Sequence, residues 1–247
     1  IAKEKHNNKI RETTGSKIFS AVNAFLLIFL CVLTLYPMWY CLVASFTSTS
    51  YLSAHQGIML IPHMFTTSAY SLAFTHPLLL SGYKNILIIL LVSLPLNILL
   101  TLFTGYFLAS KNVLLKPVVQ FLIMFTMFFN GGMIPTYIVI KGLHMLDTRW
   151  VMIIPMAVNV MSLVIIRTAI QGMPDSLEES ARLDGAGNMV ILFRIVIPLV
   201  KATVAVLALQ YILMKWNSYF EALIYLSTRS LYPLQCILRE ILVEEDS

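Results

Sequence analysis

The stretch of this 247-residue sequence with the most informative chemistry is Gly172–Gly187, which reads GMPDSLEESARLDGAG. Pro174 stops whatever helix precedes it, and Asp175 is placed to cap a new one. Glu178 stands three residues on, at the capping-box position, with Arg182 one turn further along. Gly185 and Gly187 then end or turn the helix. The pattern predicts a helix of about two to three turns, acidic at its start, with small residues Ser180, Ala181, Gly185 and Ala186 toward its far end. This is binding chemistry, not catalysis. A carboxylate is a bidentate target for an arginine on a partner, and small side chains let another backbone approach closely. On these residues alone two readings stand: a turn that merely joins its flanks, or a lever whose movement tilts both.

Nothing else supplies a reactive constellation. His55, His63 and His76 lie eight and thirteen residues apart, which matches no metal-ligand spacing, and they read as solvated or loop-packing side chains. Cys31, Cys41 and Cys236 form no C-x-x-C and read as packing thiols. The sequence holds no G-x-x-x-x-G-K-[ST] phosphate loop.

The elements that would position Gly172–Gly187 are set by composition. The sequence is 58% hydrophobic and 12% charged, with a mean hydropathy of +0.81, whereas a soluble domain carries about 25% charged residues. That excludes an ordinary cytosolic enzyme, a nucleic-acid module and a disordered chain. After Lys17 no charged residue appears until Lys84, and Asn85–Ser110, Pro117–Ile140 and Trp150–Ile166 are also charge-free. A helix needs about 20 apolar residues to cross a hydrocarbon core. Lipid also leaves no partner for open strand edges, so an all-α polytopic membrane protein is expected. Its five spans are placed at about 18–43, 84–110, 117–140, 150–171 and 193–214. The first is too long for the apolar part of a signal peptide, and no cleavage site follows it. With Ile at position 1, the natural start is expected upstream.

Eleven basic residues fall on the side of the N-terminus (Lys3, Lys5, Lys9, Arg11, Lys17, Lys111, Lys116, Arg167, Arg182, Arg194 and Lys201) against six on the other. The positive-inside rule therefore predicts a cytoplasmic N-terminus. The segment 47–83 reads as an external loop or an interfacial piece. Pro37, Pro95 and Pro155 fall inside spans, and Asn130-Gly131-Gly132-Met133-Ile134-Pro135 interrupts the third. Such breaks either kink a packing helix or border a substrate path.

Read with its C-terminal flank, the stretch becomes Glu179-Ser180-Ala181-x3-Gly185-x9-Ile195-x-Ile197-Pro198. This resembles the EAA loop, E-A-A-x3-G-x9-I-x-L-P, of the permease subunits of bacterial ABC importers. The string Glu-Ser-Ala-Arg-Leu-Asp-Gly-Ala-Gly resembles the carbohydrate-import version. Leu35–Tyr40, Phe129–Tyr137 and Lys215–Tyr225 are similar to the branch that includes lipoprotein-L-like and polysaccharide importers. The resemblance implies the ABC importer permease fold in a single domain, 1–247, with a sixth helix expected after residue 247. It implies a coupling helix at about 175–187 lying in a groove of an ATPase. Glu178, Glu179, Ser180, Ala181, Asp184, Gly185, Ala186 and Gly187 are its contact residues. Glu179 would meet a basic ATPase residue, and Ala181 and Gly185 would let the helix sit deep.

The implied partners are a second permease, two ATPase subunits, an extracellular solute-binding lipoprotein, a carbohydrate and membrane lipid, with no nucleic acid. No cofactor binds this chain; ATP and Mg belong to the ATPase partners. Trp216, Asn217, Tyr219 and Glu221 have sugar-binding chemistry, and Asn130, Tyr137 and Tyr211 could join them, although Trp and Tyr also gather at membrane boundaries. The alternatives are an ABC permease for a non-sugar solute, an ion-coupled secondary transporter and an intramembrane enzyme. The last two need ionisable groups near the midplane, and the span centres have none.

Overall fold

The computed structural model describes residues 13–55, 57–111 and 113–245. Lys3, Lys5, Lys9 and Arg11, on which much of the orientation argument rests, lie outside them, as do Asp246 and Ser247. The regular structure of the described residues is helical, apart from one isolated bridge between Thr47 and Phe65. The chain divides after Thr75 into two units.

The first unit is built on α1 (Thr14–Ser45), 32 residues long and capped by Thr13, whose hydroxyl accepts from the Ser16 amide at 3.4 Å. At 1.5 Å per residue it exceeds the roughly 30 Å of a hydrocarbon core. Pro37 sits inside it without ending it. Beyond it, the part of the expected external or interfacial segment up to residue 75 carries local order. It holds α2 (Thr49–Ala54) and α3 (Ser68–Thr75), packed through aromatic rings. Phe46 lies 5.4 Å from Phe65 and 5.1 Å from Tyr70 between ring centroids. Tyr51 stacks on His55 and His63 at 4.2 and 4.7 Å, so these two histidines pack within the segment.

The second unit is organised around α4 (Pro77–Ala109). This span starts at Pro77 and not near Lys84 because proline's fixed φ and missing N–H suit the first turn of a helix. Small or polar residues recur along one winding face at steps of three, four and eight: Gly82, Asn85, Ser93, Asn97, Thr101 and Gly105, all buried. Without a hydrophobic drive between helices in lipid, small residues and hydrogen bonds hold them together. A Cβ at Gly82 would stand 2.6 Å from Ile237 Cδ1 and 3.0 Å from Leu234 Cα, and one at Gly105 would collide with Ile166 Cγ2.

Three of the five expected spans are not single helices. The third is α5 (Lys116–Phe128) and α6 (Met133–Gly142). Between them the Asn130 side chain accepts from the Gly132 amide at 2.9 Å, and Gly132 has φ +84°, which glycine adopts readily. The fourth is α7 (Trp150–Ile153) and α8 (Val160–Gln171), parted around Pro155. After α9 (Asp175–Leu183) come α10 (Asn188–Ile191), a π-helical turn (Leu192–Val196) and α11 (Ile197–Leu199). The chain then turns through 84° into α12 (Lys201–Trp216). The fifth span therefore begins at Lys201, and 193–199 belong to an arm running across it. Pro198 has no N–H for the Arg194 carbonyl and its ring crowds that oxygen, which accounts for the widened turn before it.

The segment 215–245 is also more ordered than a loop. It contains α13 (Tyr219–Tyr225), a 3₁₀ turn (Arg229–Leu231) and α14 (Leu234–Glu245), which packs on α4. Asn85 fixes that approach: its amide donates to the carbonyls of Ser230 (2.7 Å) and Tyr232 (3.1 Å), and its oxygen accepts from Arg149 Nη2 at 3.0 Å. Asp147, φ +56°, locks the neighbouring turn by accepting from the Ser227 amide and from the amide and hydroxyl of Thr228. Those donors, led by the Thr228 hydroxyl, hold its carboxyl below the ordinary range.

Gly105→Ala forces a β-branched neighbour aside in a closed interface, at about 1–3 kcal/mol. The thermal midpoint in detergent is expected to drop by about 2–8 °C; an unchanged midpoint would show that α4 and α8 do not need this approach.

Candidate functional site

Two assemblies in the second unit carry the polar chemistry. The first is α9 with its surroundings. Pro174 takes the N-cap position and no side chain caps the helix. Asp175 is therefore not the cap expected from sequence; it is the first helical residue and pairs with Lys111, beyond the end of α4. That hydrogen bond raises Lys111 above the ordinary lysine range. The reason is local: the backbone enters extended at Pro174, so the next side chain already points outward. The Glu178–Arg182 pair forms as spaced, with Arg182 Nη2 2.7 Å from Glu178 Oε1, and the same oxygen accepts from the Tyr106 hydroxyl at 3.4 Å. Glu178 is thus engaged within the chain.

Ala181 is 9% exposed and packs into the chain's own core beside Tyr106, Ile170 and Ile191. It lies on the inward face, not on the side open to a partner. Gly185 has φ +79° and open space where a Cβ would stand. The Gly185 amide donates to the Arg182 carbonyl (3.0 Å) and the Ala186 amide to the Ala181 carbonyl (2.9 Å), the paired bonds of a Schellman motif. Ala186 folds back on the core and Gly187 precedes α10. Facing outward are Glu179, Ser180, Leu183 and Asp184. Leu183 is 89% exposed, an apolar side chain that the sequence reading overlooked.

The second assembly surrounds the break in the fourth span. Three backbone groups freed there find side-chain partners. Asn97, its amide oriented to satisfy its neighbours, donates to the Ala157 carbonyl at 3.3 Å. The Tyr211 hydroxyl accepts from the Asn159 amide at 3.2 Å and shares a 2.7 Å hydrogen bond with Thr101. Lys215 Nζ donates to the Met152 carbonyl at 2.6 Å, at the C-terminal end of α7, where a cation suits the helix dipole. Asn159 also caps α8, accepting from the Ser162 amide at 3.0 Å.

Of the seven residues expected along a substrate path, several hold structural posts. Tyr211 is 1% exposed with its hydroxyl engaged. Asn130 closes the turn before α6, and Asn217 caps α12 by donating to the Leu213 carbonyl at 2.9 Å. Tyr137 stacks with Tyr225 at 6.2 Å. Tyr219 lies under the Arg239 guanidinium, 5.7 Å from its ring centroid. Trp216 ends α12, half-buried, and Glu221 sits in the first turn of α13, where an acid is favourable. A recess of about 450 Å³ opens elsewhere, beside Ile88, Val92, Arg149 and Trp150, and none of the seven lines it. Asn97, Thr101, Asn159 and Lys215 were not singled out from sequence. The signal was present as polar residues four apart in an apolar run, at 93, 97 and 101.

No family model matches the chain. Protein LplC of Bacillus subtilis (strain 168) is 35% identical over 237 residues, covering 96% of this chain and 80% of that protein. The polygalacturonan/rhamnogalacturonan transport system permease protein YtcP of the same organism is 35% identical over 227 residues, 90% of this chain and 77% of that one. Among solved structures, a bacterial ABC transporter involved in the import of the acidic polysaccharide alginate matches with a TM-score of 0.91 at 29% identity, covering 95% of this chain and 84% of that one.

Tyr211→Phe strips the Asn159 amide of its acceptor in a dry site, at about 1–3 kcal/mol. Thermal unfolding in detergent reads this as a lowered midpoint; equality with the parent would mean another acceptor replaces the phenol. Gly185→Ala strains the left-handed cap by about 1 kcal/mol, whereas Gly185→Asn tolerates that geometry. Transport should fall with Ala and persist with Asn. Loss with both would instead place a partner's backbone against Gly185.

Proposed function

The chain belongs to the permease subunits of bacterial carbohydrate ABC importers, and from that premise we propose how its parts divide the work. It is a membrane transport subunit and not an enzyme. Two ATPase subunits hold ATP and Mg and dock beneath α9. A second, similar permease completes the path, an extracellular lipoprotein delivers an oligosaccharide or polysaccharide, and the N-terminus faces the cytoplasm.

The observation that carries this reading is the two-sided character of α9. Its inner face is keyed to the chain through Ala181, Glu178 and Asp175. Its outer face presents Glu179, Ser180 and Leu183 with no hydrogen-bonded partner among the described residues. Burying the exposed Leu183 side chain in an apolar pocket of a partner would contribute about 1.5–3 kcal/mol, and Glu179 one turn before it offers a carboxylate to a basic group at the rim of that pocket. The covered helix then moves with the ATPase, and the nucleotide cycle reaches the spans joined to it. For the sugar, Trp216, Asn217, Tyr219 and Glu221 cluster where α12 passes into α13 and offer aromatic faces and hydrogen-bonding groups of the kind saccharides use.

Co-purification of the assembled importer from detergent tests the docking. Leu183→Asp and Glu179→Ala should lower ATPase retention by about 30-fold and several-fold respectively, with the permease still inserted in the membrane. Full retention with Leu183→Asp would remove α9 as the docking element. Vesicles holding this chain alone should take up no labelled oligogalacturonide under a proton gradient; uptake there would favour ion coupling.

A further inference from the structure

Chain connectivity ties α9 to α8 on one side and to the α10–α11 arm on the other. The structure adds a third attachment that connectivity does not supply. Tyr106, in the last turn of α4, is buried beside Ala181 and donates its hydroxyl to Glu178 Oε1 at 3.4 Å. Arg182 grips the same oxygen through Nε (3.2 Å) and Nη2 (2.7 Å), and Nη2 continues to Asn188 Oδ1 at 3.0 Å. Lys111, just beyond α4, pairs with Asp175 at the start of α9. α9 is therefore held to α4 and its C-terminal flank at two points, at its start by Lys111 and at its middle by Tyr106 through Glu178, while Arg182 near its end reaches Asn188.

α4 itself is one unbroken helix of 33 residues. Further along its buried face, Asn97 reaches the Ala157 carbonyl and Thr101 shares its hydrogen bond with Tyr211, which holds the Asn159 amide. The helix that meets α9 at Tyr106 thus carries Thr101 about one and a half turns away and Asn97 about two and a half turns away, the first reaching the break in the fourth span through Tyr211 and the second directly.

We propose that Tyr106 and Lys111 are positioning residues that lock α9 to α4, so that the stroke of α9 travels along α4 to the break at 154–159. This rests on the reading of α9 as the ATPase-docking helix. A rigid helix transmits an axial push without consuming it in bending, whereas the bend at Val200 can absorb motion sent through the α10–α11 arm; α8 ends at the break on one side, and α4 adds a second, parallel path to it.

The test uses the assembled importer in nanodiscs, with Ala157→Cys in a background where Cys31, Cys41 and Cys236 are serine. Maleimide labelling of position 157 is compared with and without ATP, Mg and vanadate. The expected result is an ATP-driven change of about fivefold in labelling rate, falling below about twofold in Tyr106→Phe and in Lys111→Glu. The charge swap Lys111→Glu with Asp175→Lys restores it, and ATPase subunits remain bound in every case. An undiminished ATP response in Tyr106→Phe and Lys111→Glu overturns the lock, as does a parent protein whose position 157 ignores ATP. If Leu183→Asp releases the ATPase while those variants respond normally, docking stands and the lock falls. If Leu183→Asp leaves the ATPase bound, the docking reading falls first. Failure of the charge swap to restore the response also counts against the lock, because this exposed pair is not needed for folding.

Discussion

A polypeptide that opens a gap in a helix within hydrocarbon must find partners for the groups it frees, because lipid supplies none. That constraint shapes the second unit. Around Pro155 the carbonyls of Met152 and Ala157 and the amide of Asn159 are answered by Lys215, Asn97 and Tyr211. Two of these residues stand on α12 and one on α4, so the break is closed only when both helices lie against it. Thr101 joins the two by bonding to Tyr211. The interruption is therefore a point of registration for three helices.

The same economy appears at α9. A nine-residue helix with acids in its first turn could have been a solvated connector. Instead its residues divide by face: Ala181 into the core, Glu178 and Asp175 toward neighbours in the same chain, Glu179 and Leu183 outward. Adjacent glutamates thus hold opposite posts, one internal and one free, because successive helical positions point about 100° apart.

Much of this was legible in the sequence, and the part that was not has physical causes. Charge-free runs located the apolar segments, since length and hydropathy alone decide whether a helix suits lipid. The spacing around Glu179, Gly185 and Ile195 led to the right family. Asp175 was misassigned as a cap because the distinction rests on the dihedral angles of Pro174, which sequence does not display. Ala181 was taken as an outward small residue because a small side chain serves a core and an interface equally well. The fifth span was started too early because Phe193–Leu199 is as apolar as the helix it crosses, and hydropathy does not record direction. Lys215 was treated as a topology marker, since only the three-dimensional path of α7 reveals an unanswered carbonyl within its reach.

The π-helical turn at Leu192–Val196 bears on how such a sequence can change over generations. A widened turn accommodates one residue more than an α-helical path of similar length, so the spacing between Gly185 and Ile195 includes that slack. Deleting a single residue there removes the slack and leaves an α-helical path of similar length, so Ile191, fully buried against Tyr106 and Ile170, keeps its phase. The same deletion in a regular turn of α9 would rotate the residues before it by about 100°. The arm is consequently a stretch beside α9 where a lost codon leaves the neighbouring sockets filled.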